Sequence, residues 1–280
     1  MTASVAIVSW NAGSRLRACV ESILVNSPNS DIVIVDNAST DESLESVNDF
    51  RNHVDIVRNS VNRGFAAGVN QAIAQAKTPF VLILNPDVIV LPGSIEQLDE
   101  FLDRHPKAGA VGGFVNKKYL PRKLPTVVTL LKENLGRSPS RIGPDLHDTV
   151  EVEQPAAAAL MIRRDAYDDI GGFDERFFPA WYEDVDFCRR LRESGWEIYF
   201  APQAKFEHEG GYSAEALGAT AFANAYYRNQ LRYVQKHFSF GARFLVRVSI
   251  AIGMVLRTIG RPGNAAAHIS VLKGALGGWR

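Results

Sequence analysis

The 280-residue sequence has few cysteines and lacks the signatures of several large enzyme classes. Its two cysteines, Cys19 and Cys188, have no metal-type spacing, so we expect reduced thiols rather than a disulfide framework or a zinc site. The chain contains neither a G-x-G-x-x-G run nor a Walker-type G-x-x-x-x-G-K-[ST] run, which argues against dinucleotide oxidoreductases and P-loop ATPases. Met1 leads directly into a strand-like run without the basic and long apolar regions of a secretory signal, which predicts a cytoplasmic protein.

Acidic residues are absent from the last part of the chain, although the formal net charge of the whole is zero. Residues 216–280 contain nine lysines and arginines and no Asp or Glu, whereas residues 1–215 contain 22 basic and 31 acidic residues. The hydrophobic content of 46% is ordinary for a globular protein. We therefore predict an α/β domain over residues 1–215 and a basic helical extension over residues 216–280, the latter suited to phosphate-rich surfaces.

Short apolar runs alternate with helical patterns through the first 110 residues. Strands are predicted at Ser4–Ser9, Asp31–Asp36, Val54–Arg58 and Phe80–Leu84, and further on at 156–162 and 197–201. Helices are predicted around 15–24, 66–76 and 185–194, and capping-box spacings at Ser39/Glu42 and Ser94/Gln97 predict two more helix starts. This alternation predicts a mainly parallel sheet flanked by helices. Residues 116–150, which contain four prolines, are predicted to be an irregular, flexible excursion.

Polar residues cluster directly behind the predicted strands. The clusters are Trp10–Asn11, Asp36–Asn37, Asn62–Arg63–Gly64 and Asn85–Pro86–Asp87. Ligands of open α/β sheets bind beyond the carboxyl ends of the strands, so the four clusters predict one crevice.

Each of these residues has a functional and a structural interpretation. Trp10 could stack on a base or pack at the sheet edge, and Asp36 could accept hydrogen bonds from a nucleotide or form a turn. Arg63 could contact a base or a diphosphate, or be a surface charge. Asp87 could bind a hard divalent cation that bridges phosphates, or belong to a type I turn.

Acidic residues meet aromatic ones at a predicted helix start. Glu183 and Asp184 follow Trp181 and Tyr182. One interpretation is charge complementation of the helix dipole, and the other is a general base in an aromatic acceptor pocket. The dipole would lower the pKa of a carboxylate and burial would raise it. His208, expected in a loop behind the last strand, could be a metal ligand as a neutral imidazole.

The motifs, in order and spacing, resemble glycosyltransferase family 2, whose members are inverting enzymes with the GT-A fold. The resemblance covers roughly residues 4–212 and is carried by VSWN, VDNASTDES, NRGFAAGVNQAI, LNPD, GGFDERFF and YEDVDFCRRLRESGW. It is nearest to the bacterial subgroup of rhamnosyltransferases. It implies nucleotide-sugar binding by Val8, Trp10, Asn11, Asp36, Asn62, Arg63, Gly64 and Asn85.

The resemblance also implies roles for the remaining site residues. Asp87 and His208 would hold Mg²⁺ or Mn²⁺ at the diphosphate, Asp184 would be the base with Glu183 as the alternative, and the two aromatics before them, Trp181 and Tyr182, would bind the acceptor. Many relatives have an acidic residue at the position of Asn85, so this chain has a single carboxylate there.

The activity implied is transfer of a sugar from a dTDP- or UDP-sugar to a hydroxyl of a glycan or lipid-linked acceptor. Two alternatives stay open: a nucleotide-sugar-binding subunit without activity, and a sugar nucleotidyltransferase. The latter would need a glycine-rich N-terminal loop, for which residues 12–15 are a poor substitute. No nucleic-acid motif accompanies the basic residues, so nucleic acid is not an expected partner.

The basic extension contains an amphipathic pattern over residues 243–261. Placed on a helix, its arginines (Arg243, Arg247, Arg257 and Arg261) fall within an arc of about 80°. Phe244, Leu245, Val248, Ile252, Val255, Leu256 and Ile259 cover the opposite side. The charge-free part is far short of the ~20 residues that span a bilayer. The helix is expected either to lie on an anionic membrane surface, at the inner face of the plasma membrane, or to pack on the catalytic domain.

Overall fold

The computed structural model describes residues 3–137, 148–208, 212–260 and 262–279. Within these ranges the strands are β1 (Ser4–Ser9), β2 (Asp31–Asp36), β3 (Val54–Arg58), β4 (Phe80–Leu84), β5 (Val88–Val90), β6 (Ala108–Phe114), β7 (Val150–Glu151), β8 (Ala159–Arg163) and β9 (Glu197–His208). The α-helices are α1 (Ser14–Asn26), α2 (Phe65–Gln75), α3 (Ser94–Arg104), α4 (Val127–Asn134), α5 (Arg164–Asp169), α6 (Glu183–Glu193), α7 (Tyr212–Leu217), α8 (Ala219–His237), α9 (Phe240–Gly260) and α10 (Ala265–Gly277).

The strands form one sheet in the order β3-β2-β1-β4-β8-β6-β9-β5, with β7 beside β9. The first four strands in this order are parallel to one another. β8 is antiparallel to both of its neighbours, and β6 and β9 pair in parallel. The prediction of a mainly parallel sheet is confirmed.

Helices cover both faces of this sheet. Val5 and Ile7 of β1 pack with α1 and α3 on one face, and Ala6 and Val8 pack with α2 and α6 on the other. All six residues of β1 are buried. Burial on both faces explains why the central strands are continuous apolar runs.

Neither predicted capping box forms, although α3 begins at Ser94 as predicted. Ser39 lies in a loop, where its hydroxyl accepts a hydrogen bond from the Asn11 amide at 2.9 Å, and only a short 3₁₀ helix (Glu45–Phe50) follows. The N-cap of α3 is Gly93, and the Ser94 hydroxyl donates to the Lys205 carbonyl at 2.7 Å. Both hydroxyls serve contacts with residues distant in sequence, which local spacing cannot indicate.

Part of the predicted irregular excursion is ordered. The N-cap of α4 is Thr126, which forms a capping box with Thr129, and the helix packs against α9. Residues 138–147 of the excursion lie outside the described residues. The last large strand, β9, continues to His208, so this histidine ends a strand rather than lying in a loop.

The C-terminal helices form a third apolar cluster with α4 and with Phe177 and Tyr182. The buried face of α9 carries Val246, Ile250 and Met254. The side of α9 that we call the outer face carries the seven apolar residues named above. They are all exposed, from 38% at Val248 to 76% at Ile259.

The outer face of α9 therefore does not pack on the catalytic domain. The arginine side lies nearer the body of the protein, where Arg257 donates to the Glu133 carbonyl at 3.1 Å. Arg261 is outside the described residues. None of the helices in the described ranges is long and apolar enough to cross a membrane.

Candidate active site

The predicted clusters meet at one edge of the sheet. Ser9 is level with Asp36, and Ile7 is level with Leu84, so the carboxyl ends of β1, β2 and β4 lie side by side. Val8 is buried near the end of β1, and Trp10 and Asn11 follow it. The edge therefore carries the residues predicted to bind the nucleotide.

Polar side chains at this edge form hydrogen bonds with the backbone of the neighbouring loops. Both Asp36 carboxylate oxygens accept hydrogen bonds from the Ser39 amide at 3.3 Å, and Asp36 is 4% exposed. Asn11, in the left-handed region with φ 53°, accepts from the Thr40 amide through Oδ1 at 2.8 Å. The turn interpretation of Asp36 is thus observed, and its donor-binding role stays a prediction.

Asn37 connects the loops at this edge, although the sequence indicated it only as part of the Asp36–Asn37 cluster, without a role of its own. Its buried side-chain amide donates to the Gly64 carbonyl at 3.0 Å and accepts from the Asn59 side chain at 2.8 Å. These bonds tie the end of β2 to the Asn62–Gly64 segment. The residue stands beside Asp36 in the motif, but both partners are more than 20 positions away, so its role has no local signal.

Gly64 allows a close approach between two halves of the site. It has φ +85°, and a Cβ there would lie 2.9 Å from the Phe178 ring and 3.0 Å from the Pro179 carbonyl oxygen. A side chain is therefore excluded both by conformation and by space. The neighbouring Arg63 side chain is 47% exposed and reaches Glu175 only at 3.9 Å.

Asp87 and His208 form a buried pair. The His208 Nε2 lies 2.9 Å from the Asp87 Oδ2, and the two side chains are 3% and 2% exposed. Asp87 Oδ1 and His208 Nδ1 are buried without a hydrogen-bond partner. Unpaired buried polar atoms are costly, so this donor set fits a bound ligand such as a divalent cation.

The predicted turn at this place is also present. The Val88 amide donates to the Asn85 carbonyl at 3.2 Å. Asp87 is therefore part of a turn and also contacts His208, so the structural and the functional interpretations of Asp87 are compatible. Among the described residues, no group of three or more His, Cys, Asp or Glu side chains could hold a metal ion. A cation at Asp87 and His208 would therefore need ligands from the substrate.

Three acidic residues in the first turn of α6 have three different surroundings. Asp186 is buried and pairs with Arg190, Lys236 and His237 at 2.7–2.8 Å. Burial alone would raise its pKa, but hydrogen bonds from His237 and Lys236 hold the pKa of Asp186 below its usual value. Asp186 therefore anchors α6 to α8 and has no free oxygen for chemistry.

Glu183 is sealed inside the protein. It is 6% exposed, and its Oε2 is buried without a partner. Burial, together with the nearby charge of Asp184, raises the pKa of Glu183 well above its usual value.

Asp184 is half-buried, so it remains open to the crevice. Its oxygens accept hydrogen bonds from the Gln154 side chain at 3.1 Å and from the Val185 amide at 2.8 Å. Burial raises the pKa of Asp184 despite these bonds, so burial outweighs the helix start. A carboxylate with a raised pKa is a better proton acceptor than an ordinary one.

Arg122 and Gln154, which lie beside Asp184, were missed from the sequence. The Arg122 amide donates to the Gln154 carbonyl at 2.9 Å. The charge of Arg122 lowers the pKa of Asp184 and opposes the rise in the pKa of Tyr119 that burial and Asp87 produce. The Tyr119 ring lies 4.8 Å from that of His208. The charge of Arg122 thus acts both on Asp184 and on Tyr119, whose ring lies beside that of His208.

The aromatic segment before α6 is held by α8. Trp181 and Tyr182 both have left-handed backbones, with φ 73° and 74°, which are unfavourable for bulky residues. Asn229, fully buried, donates to the carbonyls of Phe178, Ala180 and Trp181 at 3.3, 2.8 and 3.1 Å. Such conformations persist where the surroundings hold them, and here Asn229 does so.

The two aromatics predicted to bind an acceptor differ in exposure. Trp181 is half-buried, and its ring meets that of Phe222 edge-on at 4.6 Å. Tyr182 is 5% exposed, and its hydroxyl accepts from the Gln230 side chain at 2.9 Å. Only Trp181 therefore offers surface to a ligand in this arrangement.

Known proteins are similar to this chain in sequence. The sequence profile of Glycosyl transferase family 2 matches residues 4–171, and that of the N-terminal domain of galactosyltransferase matches residues 138–211. N-acetylglucosaminyl-diphospho-decaprenol L-rhamnosyltransferase of Mycobacterium tuberculosis is 29% identical over 75% of this chain and 76% of the relative. Poly-beta-1,6-N-acetyl-D-glucosamine synthase of Staphylococcus epidermidis is 25% identical over 71% of this chain and 47% of the relative.

Solved glycosyltransferases have the same architecture. The crystal structure of GalNAc-T7 with UDP, GalNAc and Mn²⁺ has a TM-score of 0.71 at 15% identity, over 99% of this chain and 56% of that one. The mannosyltransferase PcManGT from Pyrobaculum calidifontis, in complex with GDP-Man and Mn²⁺, has a TM-score of 0.61 at 13% identity, over 99% and 86%. Identities this low indicate a shared fold, which confirms the predicted GT-A fold. Because the family 2 profile covers more than half of the chain, the protein belongs to glycosyl transferase family 2.

Proposed function

We propose that this glycosyltransferase transfers a sugar, with inversion, from a nucleoside-diphosphate sugar to a hydroxyl of a glycan or lipid-linked acceptor. The observation that carries the proposal is Asp184, a half-buried carboxylate with a raised pKa. It accepts a hydrogen bond from the Gln154 side chain, and the buried Asp87–His208 pair is the second element of the site. A proton acceptor and a site for a cation that offsets the charge of the leaving diphosphate are the two elements that this glycosyl transfer needs.

The donor would lie along the edge formed by β1, β2 and β4. Trp10 and Asp36 would hold the nucleoside, with Val8, Asn11, Asn62 and Gly64 shaping the crevice around it. Arg63 and Asn85 would face the diphosphate. The exposure of Arg63, whose nearest acid is 3.9 Å away, supports a role for its charge toward a ligand.

The chemistry is a single displacement. Asp184 takes the proton of the acceptor hydroxyl while the oxygen bonds to the anomeric carbon. The bond between that carbon and the diphosphate oxygen breaks, and its electron pair leaves on the nucleoside diphosphate. Glu183 is sealed, so Asp184 is the better placed of the two acids.

A divalent cation, Mg²⁺ or Mn²⁺, held by Asp87 and His208 would offset the negative charge that develops on the leaving diphosphate. The partnerless atoms of both side chains support this assignment. So does the presence of Mn²⁺ in the two solved glycosyltransferases of the same fold. Because Asn85 contributes no carboxylate, the diphosphate itself supplies further ligands.

We propose a dTDP- or UDP-sugar as donor, with rhamnose as the first sugar to test. The proposal rests on the rhamnosyltransferase relative, whose name specifies a diphospho-decaprenol substrate. The test is thermal stability of the protein with a panel of nucleotide sugars, because only a ligand that prefers the native state raises it. The stabilising sugar should then be transferred to an acceptor or slowly hydrolysed.

Measurement of the reaction products distinguishes the transferase from the two alternatives. A binding subunit would be stabilised by a nucleotide sugar without releasing nucleoside diphosphate over hours. A sugar nucleotidyltransferase would instead release pyrophosphate from a nucleoside triphosphate and a sugar phosphate. Either result would contradict the transferase proposal.

We also propose that the outer face of α9 lies on an anionic membrane. Its seven apolar residues are exposed, whereas monomeric proteins rarely expose contiguous apolar surface of this extent. The extension around it carries nine basic residues and no acid, which favours anionic lipids over a protein surface of mixed charge. A lipid-linked acceptor would be met at such a surface, at the inner face of the plasma membrane.

The membrane proposal is tested by sedimentation with phosphatidylcholine vesicles with and without phosphatidylglycerol. The wild type should sediment with the anionic vesicles, and the variant Leu245→Gln/Ile252→Gln/Leu256→Gln should not. Val25→Gln/Val61→Gln is the matched control, since these side chains are 76% and 64% exposed elsewhere. Equal sedimentation of all three proteins, or a wild-type dimer that only the α9 variant dissociates, would contradict membrane binding.

A further inference from the structure

A partly open cavity of about 310 Å³ lies between the C-terminal helices α8, α9 and α10. Its wall is mostly apolar and includes Phe222, Tyr226, Tyr227, Met254, Arg257 and Ala267. In the described part of the chain, no Asp or Glu is among the lining residues. The cavity is separate from the donor edge, and Arg257 of the amphipathic pattern is one of its lining residues.

This cavity shares its wall with the predicted acceptor side of the active site. Phe222, which lines the cavity, meets the Trp181 ring edge-on at 4.6 Å. Tyr226, also in the wall, meets the Tyr182 ring at 5.4 Å. Trp181 and Tyr182 directly precede the Glu183–Asp184 pair. One layer of aromatic rings therefore separates the cavity from the segment that leads into the proposed base.

Arg257, a cation in the cavity wall, is incompletely paired. Arg257 donates through Nη2 to the Glu133 carbonyl at 3.1 Å, while its Nη1 is buried without a hydrogen-bond partner. A guanidinium in an apolar wall gains most from an anionic partner, and phosphate oxygens match its geometry. The cavity therefore combines an apolar lining with one site for an anion.

We propose that this cavity binds the part of a lipid-linked acceptor where the isoprenoid chain joins its diphosphate. The inference rests on the proposed function, because it assumes a lipid-linked acceptor. The apolar lining would take the first isoprene units, and Arg257 would contact the diphosphate. The volume is at the lower end of the ~300–1,000 Å³ range of small-ligand pockets, so only the segment next to the head group fits. The rest of the chain would extend outside the protein.

The test uses farnesyl diphosphate, farnesol and inorganic pyrophosphate as probes, titrated into the full-length protein by calorimetry. A saturating nucleoside diphosphate is present so that the donor edge is filled. Farnesyl diphosphate should bind more tightly than either of the other probes. Ala223→Phe, which fills the cavity from α8, should weaken it by at least about tenfold. Ala221→Phe is the matched control, because Ala221 is exposed on the same helix.

The charge is tested separately. Arg257→Gln should weaken farnesyl diphosphate by about fivefold or more and leave farnesol unchanged, and Arg257→Lys should recover part of the loss. Equal effects of Ala223→Phe and Ala221→Phe would overturn the cavity assignment. So would equal affinities of all three probes in the wild type. If the wild type binds farnesyl diphosphate but no nucleotide sugar, the proposed function fails and the cavity assignment stands.

Discussion

The two sides of the active site are built in different ways. The donor side consists of loops at the ends of β1, β2 and β4, which are fixed by one another through Asn11, Asp36 and Asn37. The acceptor side is the segment before α6, which is fixed by α8 through Asn229 and Gln230. The loops of the donor side lie within the first 90 residues, although Asp87 pairs with His208 and the Phe65 amide donates to the Pro179 carbonyl. The acceptor side depends on a helix that begins at Ala219.

This difference shows that the C-terminal extension contributes to the structure of the active site. It supplies the residues that hold Trp181 and Tyr182 in unfavourable backbone conformations, and Lys236 and His237 of α8 also pair with Asp186 in α6. Variation in the extension can therefore change the acceptor side without changing the donor side. The following predictions either separate the two sides or show that they act together.

The largest effect is expected for Asp184→Asn. Loss of the proton acceptor should reduce the turnover number by about 10²–10⁴-fold, the range of general-base contributions. Nucleotide affinity should stay unchanged, because the hydrogen bonds of Asp184 go to Gln154 and Val185 and not to the donor side. Steady-state kinetics with nucleotide titrations checks this, and Glu193→Gln, a 55%-exposed acid on the same helix, is the control. Near-normal transfer by Asp184→Asn would remove it from the base role.

A smaller but still large effect is expected for the donor side. Asp87→Asn should lower turnover by roughly a hundredfold and raise the concentration of Mg²⁺ or Mn²⁺ needed for half-maximal rate, because one ligand of the cation is lost. EDTA should stop the wild-type reaction, and either cation should restore it. Full wild-type activity in EDTA would contradict the metal assignment at Asp87 and His208.

The pH dependence should report the acceptor side alone. Asp184 must be ionised to accept a proton, and burial raises its pKa, so kcat/KM should fall on acidification at a pH above the ordinary aspartate range of about 4. Nucleotide affinity should show no matching change. A kcat/KM profile that stays flat down to the ordinary aspartate pKa would mean that Asp184 is not the essential base.

The smallest effect concerns stability. The pKa of Glu183 is raised in the folded protein, so its contribution to stability is full in acid and is lost as pH rises through that folded value. Glu183→Gln removes this loss, so the melting temperature of the variant should gain on that of the wild type as the pH is raised above the ordinary glutamate pKa of about 4.3. A difference that does not change with pH would show that Glu183 does not titrate in this range.

The fold was largely predictable where strands are buried on both faces, as at Phe80–Leu84. β6 was not predicted, because its sequence AGAVGGF resembles a loop. The glycines there are required by packing: a Cβ on Gly113 would lie 2.3 Å from the Phe206 ring. The need for them arises from a residue more than 90 positions away.

The site was predictable to the same extent. Asp87, Asp184 and His208 lie at the ends of elements, where patterns and the family resemblance indicate them. Gln154 and Asn229 have no such pattern, since they act on partners 30 or more residues away. The amphipathic pattern of α9 was visible in the sequence, but such a pattern does not indicate which side of the helix its neighbours cover.

The central claim is that α8 fixes the backbone of the acceptor side and does not affect nucleotide binding at the donor side. The variant Asn229→Ala tests this claim most directly. Hydrogen exchange and nucleotide affinity would be measured for this variant and for Gln235→Ala, a control at an exposed position of the same helix. Losing three hydrogen bonds from a buried amide should cost about 1–3 kcal/mol locally. We predict faster exchange confined to residues 176–184, a raised acceptor KM and an unchanged nucleotide affinity. A parallel loss of nucleotide affinity, or unchanged exchange in that segment, would contradict the account.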